Sequence, residues 1–210
     1  MDETAFVARF AARLPTSAGR PHPGEYPAPA LPATWAHFAA VLTAIGGTFA
    51  GPVAREQVAA VVGGHLRIHG ARRGGGQGGR CVASAAAAPW LKELSGWALS
   101  DDGIAHPHGL ADVALGILYA EAAVAENAAL LFTSRSLPER ALGFLAQHLL
   151  VLVADGALHP DFVTAQSRLP HPPPHHITWM SGPSKTADIE QTLVIGAHGA
   201  RTLTVLAITT

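Results

Sequence analysis

Residues 149–154 read Leu-Leu-Val-Leu-Val-Ala, six consecutive positions without a polar side chain. Successive side chains of a β-strand point to opposite faces, so a run that is apolar at every position suits a strand covered above and below. A central strand of a parallel sheet has this property. Further candidate strands lie at 81–84, 112–116, 129–133, 176–180 and 203–208, and helical patterns lie at 89–94, 138–147, 160–167 and 186–195. Strands alternating with helices in this order predict an α/β fold: an open layered sheet with helices on both faces and right-handed crossovers.

Towards the N-terminus, Trp35, Phe38, Leu42 and Ile45 recur at helical spacing and are followed by Gly46-Gly47, which predicts a helix over 35–45. A further helix is expected over about 53–69, with Val58, Val61, Val62 and Leu66 inward and Gly63-Gly64 weakening it. Residues 2–14 also read as a helix, with Phe6, Phe10 and Leu14 on one face. Prolines 15, 21, 23, 27, 29 and 32 then block regular structure. The predicted organisation is therefore an N-terminal helix plus Pro-rich linker over 1–33 and an α/β domain over 34–210. Residues 72–80, Arg-Arg-Gly-Gly-Gly-Gln-Gly-Gly-Arg, read as a surface loop; no Gly-Lys-Ser/Thr follows to make it a Walker loop.

Composition narrows the function. The chain has 210 residues, 14 Lys+Arg against 15 Asp+Glu, and 14% charged residues. Only two residues are lysine, so the electrostatic footprint of a general nucleic-acid binder is lacking. A single cysteine, Cys81, excludes an internal disulfide and an iron–sulfur cluster held by this chain alone. The longest charge-free apolar stretch, 34–54, is interrupted by His37, Gly46-Gly47 and Gly51-Pro52, which argues against a membrane-spanning helix. The opening Met-Asp-Glu is not a secretory signal. A soluble cytoplasmic protein is the expectation.

The chain holds 12 histidines. His106-Pro-His108 and His171-Pro-Pro-Pro-His175-His176 are local clusters, and His65 and His69 stand four apart on a predicted helix. No cysteine partner or His-Glu-x-x-His helix completes a metal pattern, so decoration of exposed loops is favoured and no metal is assigned.

Residues 181–201, Ser-Gly-Pro-Ser-Lys-Thr-Ala-Asp-Ile-Glu-Gln-Thr-Leu-Val-Ile-Gly-Ala-His-Gly-Ala-Arg, are the most informative for function. Gly182-Pro183 ends a strand, and Ser184, Thr186 or Asp188 is suited to cap a following helix that Gly196 closes. Such a helix start favours anions, and Lys185 adds a positive charge there. Asp188 and Glu190 place carboxylates in the first turn. Capping explains Ser184 and Asp188 but not Lys185, whose charge would oppose the helix dipole; that placement is the residue-level argument for a ligand.

This stretch resembles the C-terminal signature of the LUD-domain family, in particular its lactate utilization protein C branch. The family's Gly-Pro-Ser, Arg or Lys, Thr-Ala-Asp-Ile-Glu, and later Gly-x-His-Gly are matched by Gly182 through Glu190 and by Gly196, His198 and Gly199. Upstream, Glu121 takes the place of the family's Asp, and Ala125-Glu126 match its Ala-Glu. Leu118, Asn127 and Ala128 stand where the family has Thr, Thr and Gly.

The resemblance implies an open α/β domain of the NagB/RpiA/CoA transferase-like fold. It also implies a component of an iron–sulfur-dependent system that oxidises L-lactate to pyruvate. This chain would itself be cluster-free, with the iron–sulfur clusters on partner proteins of the same system. It would bind a small carboxylate or phosphate, or a partner subunit. Gly182, Ser184, Lys185, Thr186 and Glu190 would be ligand-binding, and Asp188 or His198 would position or deprotonate a hydroxyl. Glu126 would be catalytic in the alternative reading, an independent CoA-transferase-like or sugar-phosphate-isomerase-like enzyme. A third reading is a non-catalytic scaffold.

Overall fold

The computed structural model describes residues 2, 4–5, 8–9, 12–13, 31–69, 79–94, 99–101, 106–188 and 191–209. Its main sheet has six strands in the spatial order β1 (Thr48–Ala54), β12 (Thr202–Thr209), β7 (His148–Ala154), β4 (Val113–Ala120), β2 (Arg80–Ala83) and β3 (Leu99–Asp101). Every neighbouring pair is parallel. The run at 149–153 thus occupies an interior strand, as its two apolar faces require. Its side chains alternate between two buried clusters: Leu149, Val151 and Val153 join one, Leu150 and Leu152 the other. Strand β12 divides likewise, with Leu203, Val205 and Ala207 on one side and Leu206 and Ile208 on the other. Each of these leucine, valine and isoleucine side chains contributes about 1.5–3 kcal/mol relative to exposure.

The two faces are covered differently. On one lies helix α2 (Val58–Ile68), which buries Val58, Val62 and Leu66. On the other lie helix α1 (Trp35–Ala44), through Phe38 and Leu42, and a second sheet. That sheet has the order β8 (Leu158–His159), β5 (Ala122–Val124), β6 (Ala129–Thr133) and β9 (Ile177–Ser181), with β5–β6 and β6–β9 antiparallel. Leu130 and Phe132 of β6 reach the central cluster. The layered α/β class holds, with a small sheet added to one of the helical layers. Thr34 caps the start of α1: its hydroxyl accepts the His37 N–H at 3.2 Å.

Strand β1 and several boundaries differ from expectation. The sequence Thr-Phe-Ala-Gly-Pro-Val-Ala forms an edge strand, although its Gly-Pro pair suggests a break. The ladder to β12 shifts register between Ala50 and Val53, so the proline sits in an irregularity where its missing N–H is tolerated. Gly51 has φ +124°, and a Cβ there would lie 2.7 Å from the Ala207 carbonyl oxygen; only glycine fits. Helix α2 starts at Val58, after β1 and a short turn, and not at 53. The pattern at 138–147 yields only the four-residue helix α3 (Leu142–Leu145). The pattern at 160–167 yields α4 (Phe162–Ser167), capped by Asp161.

The expected helix over 186–195 does not form. Lys185–Thr186 is a short strand, β10, antiparallel to β11 (Val194–Ile195). Ser184 completes the local ladder: its N–H donates to Ala200 O, and its carbonyl accepts from Gly196 N, both at 2.9 Å. Backbone pairing with the segment after β11 takes the place of intrahelical bonds. The predicted N-terminal helix, the proline-rich linker and the loop at 72–80 fall largely outside the described residues.

Candidate functional site

The signature segments converge. Chain leaving β9 turns at Gly182, φ +69°, where a Cβ would meet Ile45 Cδ1 at 3.0 Å and Ile45 O at 3.3 Å. Pro183 is buried behind it. Gly199 packs so closely on Ser184 that a Cβ would stand 3.1 Å from Ser184 Cβ. Gly182-Pro183-Ser184-Lys185 and His198-Gly199-Ala200 therefore lie side by side in the lining of one cavity of about 280 Å³, to which Phe144, Met180 and Ser181 also contribute. Two glycines that look like turn punctuation in the sequence are needed for this close approach.

Lys185 has a different partner from the one expected. Its ammonium donates to the carbonyl of Ile45, the C-terminal cap residue of α1. Rather than opposing a helix start, the charge complements the negative end of α1, a placement worth about 0.3–1 kcal/mol at a surface site. Lys185 is thus favourably placed, contrary to the expectation, and its position alone does not call for a ligand. One ammonium N–H is used this way, which leaves two further donors on a residue that is among those lining the cavity.

The other expected site residues separate. His198 is exposed and lines this cavity and the next. Thr186 lies in β10, and its hydroxyl accepts from the Asp188 N–H at 3.2 Å. Asp188 is exposed on that turn and lines none of the described cavities, and Glu190 lies outside the described residues.

Glu126 is half-buried elsewhere. Its Oε2 accepts the Phe162 N–H at 2.9 Å, while its own N–H donates to Pro160 O. The carboxylate thus pins the start of α4, beside the Asp161 cap. Ala128, at the position where the resembled family has glycine, keeps a left-handed φ of +53°. Sequence reading missed Phe144 and Gly143. A Cβ at Gly143 would stand 2.5 Å from Met180 Cε, so any larger residue there would displace that side chain from the cavity wall, and neither residue carries a polar signal that spacing could reveal.

The histidine pair foreseen on α2 gains a third member. His69, which caps the C-terminus of that helix, stacks on His148 at 4.1 Å between ring centroids and lies 6.3 Å from the ring of His65. His148 Nδ1 is 2.9 Å from Thr202 Oγ1. Burial, then the neighbouring His148 and His65, push His69 down from 6.5 to about 4. Burial also lowers His65, and burial with Arg201 lowers His148. Among the described residues, no group of three or more His, Cys, Asp or Glu is arranged to hold a metal.

The sign of the pH effect follows from linkage. The unfolded chain takes up a proton near pH 6.5 and the folded chain does so only near pH 4, so the stability from neutral His69 is complete above 6.5 and declines towards 4. Urea midpoints should fall between pH 7 and pH 4.5, and His69→Gln should flatten that decline. Parallel profiles for the two proteins would refute His69 as its source.

Comparison with known proteins places the fold and the signature together. Residues 107–208 match the LUD domain. Lactate utilization protein C of Geobacillus sp. strain WCH70 is 29% identical over 101 residues, 45% of this chain and 42% of that protein. Lactate utilization protein C 1 of Bacillus mycoides strain KBAB4 is 30% identical over 91 residues, 40% of this chain and 39% of that one. An uncharacterized protein of Neisseria meningitidis serogroup B is 60% identical over 35 residues, 17% of this chain and 15% of that protein.

The aligned part of the chain spans about two fifths of the lactate utilization proteins it matches. The crystal structure of a DUF162 family protein from Deinococcus radiodurans superposes with a TM-score of 0.58 at 16% identity, covering 82% of this chain and 94% of that one. The resemblance to the LUD-domain family, and to lactate utilization protein C within it, holds. Among the described residues, no helix is long and apolar enough to cross a membrane.

Proposed function

We propose that this chain is a component of a system oxidising L-lactate to pyruvate, and that it binds a small carboxylate in the cavity between Gly182–Lys185 and His198–Ala200. The electrons would pass to iron–sulfur proteins of the same system, since one cysteine cannot hold a cluster here. The supporting observation is the meeting of two separate signature segments on one cavity that carries an ammonium and an imidazole. A carboxylate would accept from the free N–H groups of Lys185, a charge-assisted bond of the stronger kind. His198 stands where it would accept a proton from, or donate one to, a neighbouring hydroxyl.

A deletion strain should fail to grow on L-lactate as sole carbon source and recover with the intact gene. Normal growth and normal lactate oxidation in extracts would disprove the reading.

The engagement of Glu126 with Phe162 speaks against its use as a covalent nucleophile. Glu126→Gln retains an oxygen that accepts the same N–H. It should cost less than about 1 kcal/mol in stability and leave complementation on lactate intact. Loss of complementation by a stably folded Glu126→Gln protein would restore the transferase-like alternative.

A further inference from the structure

The signature cavity opens beside a larger apolar one. Phe144 of α3 lines it and two neighbouring concavities. The largest, about 690 Å³, is walled by Pro107, Ala111, Ala141, Phe144 and Leu145, with Arg140 and His108 also in its lining. A third, about 420 Å³, links His198 and Gly199 of the signature to Ala111, Phe144 and Leu145, and includes Arg201. Phe144 is 48% exposed and Leu145 42% exposed, so α3 turns apolar surface outward where these concavities meet. Contiguous exposed apolar surface of this kind commonly marks a contact site.

Charge along the path is cationic. Lys185, Arg201 and Arg140 line it, and none of them forms an ion pair among the described residues, where the single pair is Arg80–Asp112. The acid in the lining, Glu139, has one oxygen accepting from Ala141 N at 2.9 Å. At about 280 Å³ the signature cavity is just below the usual size of a small-molecule site, whereas the apolar cavity lies well within that range. A three-carbon acid would use only the polar end.

We infer that the site accepts L-lactate at its polar end but prefers a carboxylate with a longer apolar tail, such as a medium-chain or aryl 2-hydroxy acid. Its head sits at Lys185 and His198, and its tail crosses Phe144 into the larger cavity. This deepens the reading above and rests on its assignment of an anion to the signature cavity. Each methylene taken from water tightens binding by roughly fourfold, so a few suffice for a large preference.

The test is calorimetric titration of the full chain with L-lactate, 2-hydroxyhexanoate, 2-hydroxyoctanoate and 3-phenyllactate. Affinity should rise at least tenfold from lactate to 2-hydroxyoctanoate. Phe144→Ser and Leu145→Ser, each changing a partly exposed side chain, should remove most of that ratio. Lactate binding as tightly as the longer acids would overturn the tail assignment while leaving the carboxylate site standing. Absence of binding by any of the four would overturn both. A chain-length preference unchanged in both variants would place the tail elsewhere and overturn the inference.

Discussion

Phe38→Ala should lower the free energy of unfolding by about 3–5 kcal/mol, the usual cost of removing a fully buried aromatic side chain. Phe38 is 0% exposed in the central cluster. Its ring meets Trp35 edge-on at 5.2 Å and Phe49 of β1 at 5.9 Å. Truncation would open a cavity between α1 and the edge of the main sheet, where backbone and neighbours relax only in part. The consequence reaches the site, because α1 is capped by Ile45, the residue that holds Lys185. Urea unfolding of the variant measures the first effect, and ligand titration measures the second. A loss below about 1 kcal/mol would mean that α1 is not seated as described.

Gly182→Val should cost about 2–3 kcal/mol and abolish ligand binding at the signature cavity. The residue has φ +69°, which penalises an L side chain by about 1–2 kcal/mol, and a β-branched one most severely. Its new Cβ would press on Ile45 Cδ1, Cγ1 and O at 3.0, 3.1 and 3.3 Å. Overpacking adds about 1 kcal/mol or more. Relief requires β9 and α1 to separate, which moves Pro183 and Ser184 away from Gly199. Gly182→Asn, which tolerates the left-handed region better, should lose less stability. Equal losses for the two variants would show that contact with Ile45, not the backbone angle, sets the cost.

The main sheet was legible where burial is two-sided. The run at 149–153 has no polar position because α1 and the second sheet cover one face and α2 covers the other, so the pattern in the chain is the pattern of the core. Strand β1 was hidden because Gly51-Pro52 carries the local signal of a break, while its pairing comes from β12, some 150 residues later. At 186–195 capping residues favoured a helix. The ladder with β11, and the Ser184 bonds to Ala200 and Gly196, are non-local and decide the outcome.

For the site, the resemblance picked out Gly182, Ser184, Lys185 and His198, which meet at one cavity. It also picked out Glu126 and Asp188, which do not line it. No spacing rule would show that Glu126 spans 36 positions to hold the start of α4. Phe144 stayed hidden for the opposite reason: its importance is shape, and an apolar residue in an apolar stretch carries no chemical signature.

The central claim is that the two signature segments form one anion-binding cradle. It is tested most directly by titrating ¹⁵N-labelled chain with L-lactate at pH 7 and following backbone amide shifts. Saturable shifts concentrated at Ser184, Lys185, His198, Gly199 and Ala200, and lost in Lys185→Ala, are the expected result. Shifts centred on Glu126 and Phe162, or a titration that moves no amide of the signature segments, would contradict it.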